Sequence, residues 1–168
     1  MDGFVDRLDP DMCVVTAVAG GERAGCLVGF AAQCSMRPVR FAVWLSKVNR
    51  TYRVARHAEF LAVHLLTPRQ YGLAELFGGE TGDEVDKFAG VRWSEAHGGA
   101  VVLDDSCAWF VGRVEQRVDA GDHVGFFLEP VESGGRAEAG DEEGGAQERG
   151  ALLRLSDVLT IDPGHPVD

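Results

Sequence analysis

Lys47, Asn49, Arg50 and Thr51 fall within five consecutive positions and bring together an ammonium, an amide, a guanidinium and a hydroxyl. That donor set suits a phosphate, because charge-assisted hydrogen bonds are roughly twice as strong as neutral ones. The flanking sequence points the same way. No Asp or Glu occurs from Arg23 to Ala58, although acids outnumber bases 27 to 16 over the chain. The same window holds Arg23, Arg37, Arg40, Lys47, Arg50, Arg53 and Arg56. A chain of formal net charge −11 that keeps one stretch clear of carboxylates offers a place for an anion there. The other reading of these residues is a solvated basic face, with Asn49 or Thr51 doing no more than capping a helix.

Two further segments carry candidate chemistry. Gly25 to Pro38 includes Gly25 and Gly29, and glycine inside an extended run marks a bulge or a close approach of ligand to backbone. His123 follows Gly121-Asp122, where an imidazole either orients a ligand or closes a tight turn. The other histidines (His57, His64, His97 and His165) stand apart at no ligand spacing, so no metal site is expected. Cys13, Cys26, Cys34 and Cys107 form no CxxC pair and read as buried free thiols in a reducing cytoplasm.

Strands must position these groups. Met12–Val18 is an apolar, β-branched run ended by a hairpin signal at Gly20-Gly21-Glu22-Arg23. Ala24–Gln33 reads as a second strand, and Arg40–Leu45 resumes after Pro38. The period then changes: Tyr52, Ala55 and Ala58 share a helical face, and Asn49 or Thr51 caps a helix running to about Ala58. Glu59–Leu66 is a strand, and Gln70–Phe77 is a helix stopped by Gly78-Gly79. Val101–Leu103, Ala108–Val118 and His123–Val131 are further strands, with alternation along Ala108–Val118 predicting one buried and one wet face. Ser133–Gly150 is rich in glycine and acid and lacks aromatic and β-branched residues, so it reads as a mobile surface loop. Ala151–Leu155 reads as a last strand returning to the core. The sum is roughly seven strands and two short helices, suited to a closed or nearly closed antiparallel barrel.

In this order the segments resemble the flavin reductase-like family, whose members bind FMN in a split β-barrel. Gly25–Pro38 fills the frame of that family's GxTxSSFxSxSxxPP strand without a gap, and Ser46–Tyr52 resembles its N(R/K)xSxTH segment. Phe60–Leu66 resembles FxVNxL, Asp86–Trp93 is similar to DKFxGVxW, and Asp119–His123 is similar to the start of xxAGDHxxxxGEV. The resemblance covers about Met12 to Val131. It implies a mainly β fold, an FMN-binding split barrel of six to eight antiparallel strands with short helices. It also implies an oxidoreductase that uses NADH or NADPH to reduce FMN, with FAD as the alternative flavin, and supplies reduced flavin to a partner monooxygenase. The alternative is a non-releasing FMN carrier or sensor of the same fold, or a member that has lost flavin. Carried over position by position, Val28, Gly29, Phe30, Gln33, Cys34 and Ser35 border the flavin. Lys47, Asn49, Arg50 and Thr51 meet its phosphate and ribityl chain, and His123 lies by the isoalloxazine and the nicotinamide as the catalytic candidate. A homodimer with flavin near the subunit interface is implied as well. Lys87 and Phe88 are expected to anchor a helix end or a dimer contact.

Departures from the family pattern accompany these matches. Leu27, Gly29 and Phe30 stand where relatives have hydroxyl or amide residues, Val39 replaces a proline and Tyr52 a histidine. Each lost hydrogen bond is worth about 0.5–1.5 kcal/mol, so flavin affinity is expected to differ from that of a typical member.

Length and charge bound the rest. A chain of 168 residues is expected to form a single domain, residues 1–168, with one good core. The strongly acidic balance argues against nucleic acid as the main partner. No apolar run approaches the ~20 residues that cross a bilayer, and Met1–Pro10 lacks the apolar core of a signal peptide. A cytoplasmic location is expected.

Overall fold

Apolar runs with β-branched residues become strands here, and the most apolar of them, β1, β5 and β7, are buried almost throughout. The computed structural model describes residues 1–135 and 151–164. After a short helix α1 (Asp2–Val5), β1 (Cys13–Ala19) turns into β2 (Glu22–Val28) through Gly20-Gly21. Both glycines have positive φ, 57° and 79°, the conformation that a two-residue turn between right-twisted strands requires. Next come β3 (Ala31–Met36), β4 (Val39–Ser46), helix α2 (Arg50–Ala55), β5 (Phe60–Leu65) and helix α3 (Tyr71–Gly79). A small pair, β6 (Trp93–Glu95) and β7 (Val101–Leu103), precedes the long hairpin of β8 (Ala108–Asp119) and β9 (His123–Gly134).

Seven strands make one antiparallel sheet in the order β2-β1-β5-β8-β9-β4-β3. Its two edges, β2 and β3, are separated in the chain by Gly29 and Phe30 alone. A link that short spans about 10 Å at most. The sheet must therefore curl until its edges meet at Val28 and Ala31, which gives a barrel split between β2 and β3. Strand period 2 fills its interior. Cys13, Val15 and Ala17 of β1, Ala24, Cys26 and Val28 of β2, Val43 and Leu45 of β4, and Val124, Phe126 and Leu128 of β9 form one buried cluster, joined by Val54 and Ala55 of α2. The outer face of β1 is covered too, because Val14 packs with Ala74 and Phe77 of α3, Leu103 of β7 and Leu153. Burial on two faces is why β1 reads as a continuous apolar run rather than an alternating one.

Several expectations change. Ala24–Gln33 is two strands, broken at Gly29-Phe30 where the chain crosses from one sheet edge to the other. Ala151–Leu155 does return to the core, with Leu153 fully buried and bonded to Met12 and Leu66, but it forms only an isolated bridge, Asp11 to Arg154. β8 alternates imperfectly: Val111 and Gly112 are both buried because its first half packs inside the barrel and against the β7 side. The second helix starts one residue later and includes Gly78-Gly79, and β6 has no counterpart in the sequence reading. Of the cysteines, Cys13 and Cys26 are buried, whereas Cys107 is half-buried and Cys34 is exposed on the edge strand β3. Ser133 and Gly134 finish β9, and residues 136–150, most of the expected mobile loop, lie outside the described residues. Among the described residues no helix is long and apolar enough to cross a membrane.

Candidate functional site

The turn from β4 into α2 is organised by its own side chains. Asn49 is extended (φ −82°, ψ 137°) and its Oδ1 accepts the Thr51 N–H at 2.9 Å, a helix cap worth about 1 kcal/mol. Thr51 is buried, and its side chain bonds the Cys26 thiol on β2. Burial pushes that thiol's pKa up, an effect that the Thr51 bond and nearby Lys87 only partly offset. Thr51 is thus tied to the barrel wall, and the cationic groups reaching outward are Lys47 and Arg50.

Those cations already have partners. Lys47 Nζ lies 2.9 and 2.8 Å from the two carboxylate oxygens of Asp119. Arg50 bonds the Gly82 carbonyl and reaches Glu22 at 3.4 Å, while Arg53 holds both oxygens of Asp83 at 2.7 Å. Arg40 pairs with Glu115 at 2.6 and 3.1 Å. The acid-free window is therefore acid-free along the chain but not in space. The Lys47 ammonium and then the Gly121 N–H hold Asp119 below the usual carboxylate range, and Arg53 does the same to Asp83.

Beside Asn49 and Arg50 a cleft of about 270 Å³ opens between β2 and the Glu80–Glu84 loop, with Leu27 and Val48 on its walls. A further hollow of about 360 Å³ continues past Arg50 toward Phe88. Lys87 sits against both. It is buried, and its Nζ donates to the carbonyls of Gly25 and Phe77 at 3.0 Å each, tying the end of α3 to β2. Burial pulls its pKa down.

His123 opens β9 opposite Ser46, and the Lys47 N–H donates to the Asp122 carbonyl at 2.9 Å, so Lys47 and His123 share one rim. The Phe30 and His123 rings lie 5.1 Å apart, and Phe30 is 59% exposed. The Phe30 carbonyl accepts the Trp44 N–H, and Trp44 meets Phe127 edge-on at 6.1 Å. His123 Nδ1 is held by Asp122 at 2.7 Å, and the His123 bond in turn lowers the pKa of Asp122.

Phe30, Lys47 and His123 thus come together, with Asn49 and Arg50 in the neighbouring cleft. Val28 is buried in the core, and a Cβ at Gly29 would sit 3.2 Å from the Met12 sulfur, so these two back the site rather than open onto it. Gln33, Cys34 and Ser35 run along the free edge of β3, where a bulge interrupts the register and Gln33 bonds the Ser35 carbonyl at 3.1 Å. Cys34 is four strand residues, about 13 Å, beyond Phe30. Asp119 and Asp122 are seen from the sequence only as part of the segment leading to His123, and the parts of Glu22 and the Glu80–Glu84 loop at the site are not seen at all. Their role depends on strand register and loop packing, which local composition does not carry.

An exposed aromatic face beside an imidazole offers a planar ligand a ring contact, and the cleft carries Arg50 and Lys87 for a phosphate, with Glu80, Asp83 and Glu84 also on its walls. Residues 6–153 match the family described as the flavin reductase like domain. The chain belongs to the flavin reductase-like family. This flavin reductase-like chain is 31% identical over 114 residues to the stachydrine N-demethylase reductase subunit Stc3 of Rhizobium meliloti (strain 1021), covering 66% of itself and 48% of that protein. It is 29% identical over 136 residues to the FMN reductase (NADH) RutF of Agrobacterium fabrum (strain C58), covering 81% of itself and 76% of that protein. In fold it is similar to the FMN-binding protein of Thermus thermophilus, crystallised with bound 1-cyclohex-2-enone, at a TM-score of 0.74 and 21% identity over 80% of this chain and 75% of that one. The flavin reductase-like chain spans 21% to 48% of the length of three relatives that it matches at 31% identity.

Proposed function

We propose that this protein is an NAD(P)H-dependent flavin reductase that reduces FMN, or FAD as the alternative flavin, and releases it to a partner monooxygenase. The observation that carries this reading is the Phe30–His123 ring pair standing beside the Arg50 cleft. When bound, FMN supplies the hydride acceptor, and the transfer needs no protein base, only two rings held face to face. Phe30 provides an exposed face for the isoalloxazine. His123, with Nδ1 fixed by Asp122, presents Nε2 to flavin or nicotinamide. Arg50, Lys47 and the Asn49 amide hold the phosphate, with Glu22 and Asp119 as the carboxylates it displaces. Thr51 serves by locking the turn through Cys26, and Val28 and Gly29 form the backing.

The donor set fits an exchangeable flavin. Leu27, Gly29 and Phe30 offer no side-chain hydrogen bonds, and the Thr51 side chain is engaged with Cys26. Fewer contacts weaken the hold by about 0.5–1.5 kcal/mol each, which favours release over the tight retention that a carrier or sensor requires.

A second copy completes the assembly in this proposal. β3 is a sheet edge flanked by exposed apolar side chains, Phe30 at 59%, Met36 at 80% and Val39 at 51%. A bare edge of that kind is a template for pairing. A homodimer built on it would bring Gln33, Cys34 and Ser35 near the partner's flavin. We further place the protein in the cytoplasm and treat residues 1–168 as one domain.

Anaerobic titration of the purified protein with FMN, then NADH or NADPH, tests the reading. Flavin bands near roughly 375 and 450 nm that bleach on adding nicotinamide are expected. Bands that persist point to a carrier fed by another protein, and no flavin binding overturns both.

A further inference from the structure

A groove of about 510 Å³ lies between α2 and the β1–β2 turn, larger than the cleft beside Asn49. Arg50, Arg53, Arg56 and His57 line it from the helix side and Gly20 from the turn. Arg50 walls both the groove and the cleft, so the two join at the residue assigned to the flavin phosphate. From Arg50 to His57 the chain advances about 10 Å at helical rise. Glu22 and Asp83 also line the groove and pair there with Arg50 and Arg53. Among the described residues neither Arg56 nor His57 is drawn into an ion pair, and both are exposed. At Gly20 even an added Cβ would meet nothing within 4 Å, so the mouth of the groove is open.

We propose that this groove binds an adenosine phosphate, the adenylate half of a dinucleotide: FAD would place its flavin half at the Arg50 site, and NADPH its nicotinamide half by His123, over the flavin held there. The inference rests on the flavin-binding reading above. Guanidinium groups bond phosphate oxygens through a planar fork and stack on aromatic rings, so Arg53 and Arg56 suit a phosphate followed by a purine, with His57 at the far end. The shared chemistry has two sources, the adenylate of FAD and the 2′-phosphoadenosine of NADPH. In either case the groove sets dinucleotide choice and leaves FMN handling alone.

The test compares the full-length protein with an Arg56→Gln/His57→Gln variant, two exposed positions outside the proposed flavin site. Dissociation constants for FMN and FAD are measured by fluorescence, and KM for NADPH and NADH with FMN present. A loss of about tenfold or more in FAD affinity with FMN unchanged supports the proposal and names the flavin dinucleotide. A comparable rise in KM for NADPH but not NADH supports it and names the nicotinamide dinucleotide. If both proteins bind FMN equally and neither dinucleotide is affected, the proposal is overturned while the flavin reading stands. If the wild-type chain binds no flavin, the flavin reading fails, and calorimetry with 2′,5′-ADP alone decides the groove. Saturable binding that the variant lacks supports the groove site, and its absence in the wild type overturns it.

Discussion

His123 and His64 show how differently one residue type is used in this barrel. His123 is half-exposed, touches the Phe30 ring and has Nδ1 on Asp122. Replacing it with Ala would remove the ligand-orienting contact proposed above without opening the core. We expect kcat/KM for the nicotinamide to fall about tenfold to a hundredfold with flavin affinity little changed, measured by steady-state kinetics and flavin titration. His64 is fully buried: Nδ1 donates to the Val14 carbonyl at 2.9 Å and Nε2 accepts the Leu103 N–H at 3.1 Å. Burial brings its pKa from 6.5 down to about 4. The unfolded chain takes up this proton below about pH 6.5 and the folded one only near pH 4, so stability present at neutral pH is lost across that window. Asp9, Asp83, Asp119 and Asp122 are all held below their ordinary 3.8 and lose most of their contribution below that pH, so His64 dominates the change between pH 7 and 4.5. We expect Tm to drop by about 5–10 °C between pH 7 and 4.5, and a His64→Gln variant to drop much less on the same melts. The Asn49 cap was legible because a cap is a local pattern. The Thr51–Cys26 bond was not, because its halves are 25 positions apart and meet only once β2 and α2 pack.

At the scale of elements, β2 packs closely on α3 beside the site. A Cβ on Gly25 would fall 2.7 Å from the Phe77 ring, and Lys87 ties the carbonyls of these same two residues. Gly25→Ala should therefore cost about 1–3 kcal/mol in chemical denaturation, with Phe77→Leu recovering part of it. Lys87→Met leaves two buried carbonyls without their donor, and we expect a loss of about 1–3 kcal/mol, again by denaturant titration. The glycine in β2 was read as a place where something approaches closely, and what approaches is Phe77 rather than a ligand. Glycine marks crowding without naming the neighbour. The β2–β3 break was missed for a related reason. Gly29-Phe30 looks like strand sequence, and only the sheet order requires the chain to change edges there.

For the whole molecule, antiparallel pairing and the long β8–β9 hairpin followed from apolar runs and turn signals. Which strands neighbour which did not, because β1–β5 and β4–β9 pairings join distant segments. The charge pattern shows the same limit: Lys47, Arg50, Arg53 and Arg40 draw carboxylates from outside their own window. The uncovered β3 edge leads us to expect a dimer by light scattering, and Met36→Lys with Val39→Lys should shift it to monomer. Finally, the chain has two lysines, and the fold treats them oppositely: the Lys47 side chain is 38% exposed, whereas Lys87 is 5% exposed with its Nζ engaged by carbonyls. Apart from the terminal amine, an acylating reagent thus meets one reactive nitrogen in the native protein. Mass-spectrometric footprinting of the Lys47 peptide then reads occupancy at the rim, and labelling of the Lys87 peptide reads opening of the barrel, from a single unmodified sample.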